Sequence, residues 1–531
     1  MVPLMDQRIS VFIEQPTIIR ASELSARIRP DESRRLLYMG ADRALHQTPA
    51  ETATGKPVKS NNNRVPVHLS SADVIGLEHQ FGAHKVVVTE TSLMPSQHES
   101  HYHPLPVVFE SAKGAKVWDP EGREYIDMLS AYSTLILIVF RFQGHCHPKI
   151  VATLIEQAQK LTLSSRAFYN SMFGKFAQKI TTMFGYDMVL PMNTGAEAVE
   201  TAIKLSRKWA YEKKGVPDGK AIVFSVAGNF HGRTIGVISM STDPESRGGF
   251  GPYLEAVGPT YVDNGDVKTI RFGEIADLER ALELHGKHTA AFLVEPIQGE
   301  AGIVLPPKGY LAKVRELCSK HNVLLICDEI QTALSFYSFV GLCRTGKMMC
   351  YEHDNVRPDI VLLGKALSGG VLADRDIMLC IRPGEHGSTY GGNPLGCAVA
   401  MTALDVLVDE DLAHRAEVLG EKFRAAVRAI NSPLLTTVRG RGLLNAIVID
   451  ETRSAKGRSA WQLCLLMKSR GILAKPTHVN IIRFAPPLVI SEEELMKAVK
   501  IIETCLADLD MLEDIPGDDA SEKGFKDTVS N

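Results

Sequence analysis

Arg357-Pro-Asp-Ile-Val-Leu-Leu-Gly-Lys-Ala-Leu-Ser-Gly-Gly370 holds an unbroken apolar run, Ile360 to Leu363, between a proline and a glycine. A run of that length with those boundaries reads as a short buried strand. Lys365 follows at once, so the chain delivers an amine to the end of a strand inside an apolar wall. Two readings fit the stretch alone. A desolvated amine has a lowered pKa and can form a Schiff base with an aldehyde; a snorkelling lysine packs its stem and keeps its head in water.

Outward from this strand, between about Pro148 and Gly396, helical stretches alternate with short runs rich in Val, Ile and Leu. The runs are Ala221–Ser225, Ala291–Glu295, Val323–Asp328 and Ile360–Leu363. Such alternation implies an α/β fold with a mainly parallel sheet covered by helices on both faces. On the N-terminal side, Ala72–Phe81 reads as a helix and Val107–Phe109, Ala115–Trp118 and Tyr125–Asp127 as strands, with Pro120-Glu-Gly122 as a turn. Beyond Asn393 come amphipathic helices through Ile430, strands at Leu443–Ile449 and Ile481–Phe484, and a last helix over Ser491–Leu509. The expected organisation is an N-terminal extension over 1–70, a β-rich segment over 71–147, a large domain over 148–396, a smaller α/β domain over 397–510, and a disordered tail over 511–531.

With 531 residues, of which 45% are hydrophobic, the chain can bury a full core. Its 59 basic and 62 acidic residues leave a net charge of -3, which gives no electrostatic footprint for nucleic acid or an anionic membrane. The longest apolar run, Leu135–Phe140, is far short of the roughly 18 residues of a membrane span. The nine cysteines form no CxxC pair, arguing against a disulfide framework or a zinc ribbon and for a reducing compartment. Residues 1–40 mix their arginines with Asp6, Glu14, Glu23, Asp31 and Glu32, so the cytosol is expected over the mitochondrial matrix.

Three further stretches carry chemistry. Val323-Leu-Leu-Ile-Cys-Asp328-Glu-Ile-Gln331 is a buried strand ending in carboxylates, and in a parallel sheet ligands bind outside the carboxyl ends of strands. Asp328 either faces such a ligand or caps the next helix. Pro191-Met-Asn-Thr-Gly195-Ala196-Glu197 opens a helix at small residues, which offers backbone N–H groups and a positive dipole end to a phosphate. Gly387-Ser388-Thr389-Tyr390-Gly391-Gly392 is a second glycine-rich turn, either another phosphate contact or a plain turn. In Gly144-His145-Cys146-His147-Pro148, two histidines at i, i+2 without further paired ligands argue against a metal site.

A strand-end aspartate, a strand-end lysine some forty residues later and a phosphate-type helix start together resemble the fold type I aminotransferases that use pyridoxal 5′-phosphate. Ser164-Ser-Arg-Ala-Phe-Tyr-Asn170, Ala227-Gly-Asn-Phe230-His-Gly-Arg233, Val294-Glu-Pro-Ile-Gln-Gly-Glu300 and Ile481-Ile-Arg483-Phe-Ala-Pro-Pro narrow the resemblance to class III, and there to the members acting on ornithine. It covers about residues 71–510. It implies a large domain with a mainly parallel central sheet and a smaller α/β domain built from N- and C-terminal segments.

The resemblance makes Lys365 the lysine that holds the cofactor and moves the proton. It sets Asp328 on the pyridine nitrogen, Gln331 on the ring 3-oxygen, and Phe230 on the ring face. Gly195 and Ala196 hold the phosphate, Thr389 reaches the phosphate of a partner subunit in a homodimer, and His231, Glu295 and Ser388 join the cofactor-binding set. Tyr102 and Tyr132 are assigned to ornithine's amino-acid end, Arg233 to the distal carboxylate of glutamate, and Glu300 with Arg483 to a charge switch between the two substrates. Acetylornithine or 4-aminobutyrate is the alternative substrate.

The chain departs from the family pattern in four places. Lys85–His101, Thr134–Phe142 and Ser335–Cys343 are insertions, and after Gly370 the expected strand is reduced to Val371-Leu372-Ala373. Loss of a central strand would leave its neighbours' backbone groups unpaired, and a catalytically impaired protein is the corresponding alternative to an active aminotransferase.

Overall fold

The structure, a computed structural model, describes residues 69–81, 104–130, 144–331, 342–364 and 369–518. At its centre lies a seven-stranded sheet. The strands are β1 (Met188–Pro191), β2 (Ile222–Phe224), β3 (Val257–Gly258), β4 (Thr289–Val294), β5 (Leu324–Asp328), β6 (Ile360–Leu363) and β7 (Gly370–Ala373). They lie in the order β1-β7-β6-β5-β4-β2-β3. β3, β2, β4, β5 and β6 run parallel, and β7 is antiparallel to both of its neighbours. Every residue of β4, β5, β6 and β7 is buried, which is why these segments read as continuous apolar runs rather than alternating ones.

The strand expected to be missing after Gly370 is present. β7 is four residues long, and so are β1 and β6 on either side of it. The registers Ile360↔Ala373 to Leu363↔Gly370 and Gly370↔Pro191 to Ala373↔Met188 therefore pair it over its full length on both edges. A short strand between equally short neighbours leaves no gap in the ladder, so the expectation of an impaired protein loses its ground. Of the three insertions, only Leu342 and Cys343 fall within the described residues, and both are buried.

Two four-stranded sheets accompany this core, besides a two-stranded ribbon of Thr260–Asp263 and Asp266–Thr269. Ser111–Lys113, Lys116–Trp118 and Glu124–Asp127 form an N-terminal meander that gains a parallel fourth strand, Ile472–Leu473, through Ile472↔Ile126 and Leu473↔Asp127. N- and C-terminal segments thus share one sheet. Val107–Phe109 is not a strand; it lies beside this sheet as partly buried apolar packing on Val117, Tyr125 and Leu473. The other sheet, antiparallel, takes the order Leu435–Arg441, Leu444–Ile449, Ile481–Phe484, Lys475–Thr477.

Helices Pro394–Asp409, Leu412–Arg428 and Glu492–Asp508 follow where the periodicity puts them, the first capped by Asn393 Oδ1, which accepts from Gly396 N at 2.7 Å. Among the described residues no helix is long and apolar enough to cross a membrane. The expected extension over 1–70 lies outside the described residues apart from Leu69 and Ser70, as does the tail beyond Asp518.

Candidate active site

The carboxyl ends of β1, β4, β5 and β6 open on one side of the sheet, and the chemistry-bearing residues leave from these ends. Asp328 is the last residue of β5 and is 2% exposed. Its Oδ1 accepts from Ile330 N at 3.0 Å, and its Oδ2 lies 2.6 Å from His231 Nδ1, a contact that puts the imidazole proton on Nδ1. Burial works against a charged imidazole, but the Asp328 carboxylate outweighs it and holds the His231 pKa above its ordinary value. The other ring nitrogen, Nε2, is buried without a hydrogen-bond partner among the described residues.

Glu295 follows the end of β4 and is 2% exposed. Its carboxyl accepts from Phe230 N at 3.1 Å and from Gly299 N at 3.2 Å. Burial pushes its pKa up to about 7, with His231 working against the rise and Asp328 adding to it. Two acidic side chains, Asp328 and Glu295, thus act on one imidazole, His231.

Past β1 the chain enters the helix Gly195–Trp209 through a capping box: Thr194 Oγ1 accepts from Glu197 N at 3.1 Å, and the Glu197 carboxylate accepts from Thr194 N at 3.3 Å. The N–H groups of Gly195 and Ala196, in the first turn, have no acceptor within the helix. Small residues let three loops close on this point. A Cβ on Gly369, which has φ +132°, would lie 2.2 Å from Thr194 O. One on Gly232 would lie 2.8 Å from Ala196 Cβ, and one on Gly364 would lie 3.2 Å from Gly195 Cα. Gly299 lies close against Gln331, whose Oε1 would be 2.0 Å from a Cβ there.

Beyond Gly299 lies a second charged pair. Arg483 Nη1 donates to Glu300 Oε2 at 3.1 Å and to Gly299 O at 3.2 Å. Arg483 stands in the strand Ile481–Phe484, directly opposite Lys475, and both are buried. Lys475 was not singled out from the sequence, although it carries the same signal as Lys365, a lysine closing an apolar run, here Ile472-Leu-Ala.

Gly195, Ala196, Phe230, His231, Glu295, Asp328, Gln331, Glu300 and Arg483 are thus linked residue to residue. Arg233 is exposed, its guanidinium carbon 6.0 Å from the Phe230 ring centroid. Ser388 Oγ accepts from Gly391 N at 2.9 Å, and Gly391 abuts Pro191 O, so this turn leans on the end of β1. Thr389 is exposed and lines an open pocket with Ser388 and Leu163–Ala167. The two histidines of the Gly144–Pro148 stretch pair with different carboxylates, His145 with Asp127 and His147 with Glu410. Tyr102, Tyr132 and Lys365 lie outside the described residues.

The class-III aminotransferase family pattern matches residues 97–506. The chain belongs to the class-III aminotransferases. It is 57% identical over 447 residues to an ornithine aminotransferase of Schizosaccharomyces pombe, a match covering 83% of this chain and 97% of that protein. It is 49% identical over 462 residues to the mitochondrial ornithine aminotransferase of Rattus norvegicus, covering 86% and 94%. Among solved structures, the ornithine aminotransferase of Toxoplasma gondii superposes with a TM-score of 0.72 at 42% identity, covering 83% of this chain and 95% of the other. An acetylornithine aminotransferase from Elizabethkingia anophelis gives 0.69 at 48%, covering 83% and 99%.

Class-III aminotransferases have the type I fold and depend on pyridoxal 5′-phosphate. The residues present fit that group. A buried carboxylate suits a protonated ring nitrogen, the glycine-lined helix start leaves a cradle for a phosphate, and the imidazole that Asp328 holds has an unpaired Nε2 among the described residues.

Proposed function

We infer that the chain transfers the terminal amino group of L-ornithine to 2-oxoglutarate, giving glutamate-5-semialdehyde and glutamate by a ping-pong mechanism. The observation that carries this reading is the Glu300–Arg483 pair at the edge of the Asp328 crevice. One pocket must take a diamine by its far end and then a dicarboxylate by its keto end, and a cation that can be masked and unmasked answers both needs.

When bound, the cofactor supplies an aldehyde to take up the amine and a cationic ring that draws electrons from the carbon losing its proton. The chain's own residues do the rest. Asp328 would hold the ring nitrogen and keep it protonated, with His231 keeping the Asp328 carboxylate in place. Phe230, fixed by its backbone N–H on Glu295, would cover the ring, and Gln331 would serve its 3-oxygen. Gly195, Ala196 and Ser388 would hold the phosphate. Lys365 would hold the cofactor through its amine, and its Nζ would move the proton at the substrate carbon.

Tyr102 and Tyr132 receive ornithine's amino-acid end while Glu300 neutralises Arg483. With the dicarboxylate, Arg483 clamps one carboxylate and Arg233 the distal one.

We propose that the chain acts as a homodimer. Phe168, Tyr169 and Tyr390, next in sequence to residues lining the pocket where Thr389 lies, are 73%, 104% and 59% exposed, apolar surface that a second copy would cover while Thr389 would reach its phosphate. All nine cysteines are free, which suits a reducing compartment; of cytosol and mitochondrial matrix, we propose the cytosol.

The likeness to an acetylornithine aminotransferase keeps a second substrate in view. A panel of ornithine, acetylornithine and 4-aminobutyrate, each with 2-oxoglutarate, separates the two. Ornithine is expected to give the highest kcat/KM, and Lys365→Ala to abolish turnover with all three; a higher value for acetylornithine would replace this reading.

A further inference from the structure

Lys475 and Arg483 are register partners on neighbouring antiparallel strands. Residues directly opposite in such a ladder project their side chains to the same face, with Cβ atoms about 5 Å apart. Here both side chains are cationic and both are nearly closed to solvent, at 8% and 5% exposure. Two like charges so placed repel, and burial adds a desolvation cost to each. The Glu300 carboxylate relieves the conflict. It bonds to Arg483 at 3.1 Å, while its own backbone carbonyl accepts from Thr477 Oγ1 at 3.3 Å, from the strand that carries Lys475. Glu300 is therefore tethered on the Lys475 side and ion-paired on the Arg483 side.

This arrangement bears on what happens when Arg483 is taken by a substrate carboxylate. Glu300 then loses its cation beside another negative charge. A displaced carboxylate in a mostly buried position needs a new partner, or binding of the substrate is penalised by the full cost of stranding it. We propose that Lys475 is that partner: a positioning residue that receives Glu300 when a dicarboxylate claims Arg483, and so sets the enzyme's capacity for its second substrate.

The exchange balances charge in both states. With Glu300 on Arg483 the group carries one net positive charge; with a substrate carboxylate on Arg483 and Glu300 on Lys475 it is neutral. Burial and the neighbouring Arg483 pull the Lys475 pKa down to about 8, and Glu300 works against the fall. Lys475 is thus still cationic near neutral pH. Ornithine, which leaves Glu300 on Arg483, does not call on the exchange.

The proposal rests on the Glu300–Arg483 reading above, and the test separates the two. Glutarate, a five-carbon dicarboxylate that cannot be transaminated, is titrated by calorimetry into the cofactor-loaded wild type, Lys475→Met, Lys475→Arg and Arg483→Met, and the KM of each substrate is measured alongside. Lys475→Met is expected to weaken glutarate binding and raise the KM for 2-oxoglutarate about tenfold, a typical coupling between sites. The KM for ornithine should stay within about twofold, and Lys475→Arg should restore glutarate binding because the charge is kept. Lys475→Gln replaces the Met variant if that one fails to fold. Wild-type glutarate binding in Lys475→Met, or equal losses for both substrates, overturns the proposal while leaving the Arg483 reading intact. Wild-type binding in Arg483→Met overturns both.

Discussion

Two buried carboxylate–cation pairs stand within one site, and they are built differently. Asp328 and His231 meet at 2.6 Å with side chains 3% and 0% exposed, at the end of a strand flanked by parallel neighbours on both sides. Glu300 and Arg483 meet at 3.1 Å with side chains 23% and 6% exposed, and they join a loop to a strand of a different sheet. The side chains of the first pair are closed to solvent among the described residues. The second has partial access to solvent and a lysine across the strand. The same chemistry is permanent where the surroundings fix both partners, and reversible where one of them can turn elsewhere.

The largest expected effect comes from breaking the permanent pair. Asp328→Asn keeps the shape but removes the charge that would stabilise a cationic ring, and kcat should fall on the order of 10²- to 10³-fold for both half-reactions alike. Rapid-mixing measurement of each half-reaction checks this. If only one half-reaction slowed, the pair would be acting in substrate choice and the contrast with Glu300 would collapse.

Glu300→Gln breaks the reversible pair, with a smaller and lopsided effect. Arg483 stays unmasked, so the KM for ornithine should rise about tenfold while that for 2-oxoglutarate stays level or falls. Equal changes for the two substrates would show that the pair is only structural.

The smallest effect sharpens the permanent side. Glu295, whose pKa is raised to about 7 from an ordinary 4.5, keeps in the folded state a proton that the unfolded chain has released. Its contribution to stability is therefore complete below pH 4.5 and is lost as pH rises through 7. Glu295→Gln cannot titrate, so denaturant unfolding across that window should show a shallower decline in stability than the wild type. An unchanged slope would mean that the carboxyl is ionised throughout.

Much of this was legible in the sequence, for a physical reason. Ile360–Leu363 was placed to the residue and β5 nearly so, because strands buried on both faces are continuous apolar runs and their ends are marked by Pro358, Gly364 and the carboxylates at 328 and 329. β7 was misjudged since a four-residue segment after a glycine pair looks like a remnant until its equally short neighbours are known. The contacts of His231 with Asp328 and of Glu295 with Phe230 span 97 and 65 residues, and no local pattern encodes them. Lys475 was hidden by Pro476, which argues against a central strand; Lys475–Thr477 is an edge strand, where proline is tolerated.

The central claim is that this site exchanges an amino group between ornithine and 2-oxoglutarate. The most direct measurement is the absorbance of the cofactor in the purified protein as ornithine and then 2-oxoglutarate are added. The expected result is loss of the aldehyde-form band with ornithine and its return with 2-oxoglutarate. A band that ornithine leaves unchanged, in protein that has bound the cofactor, would contradict the account.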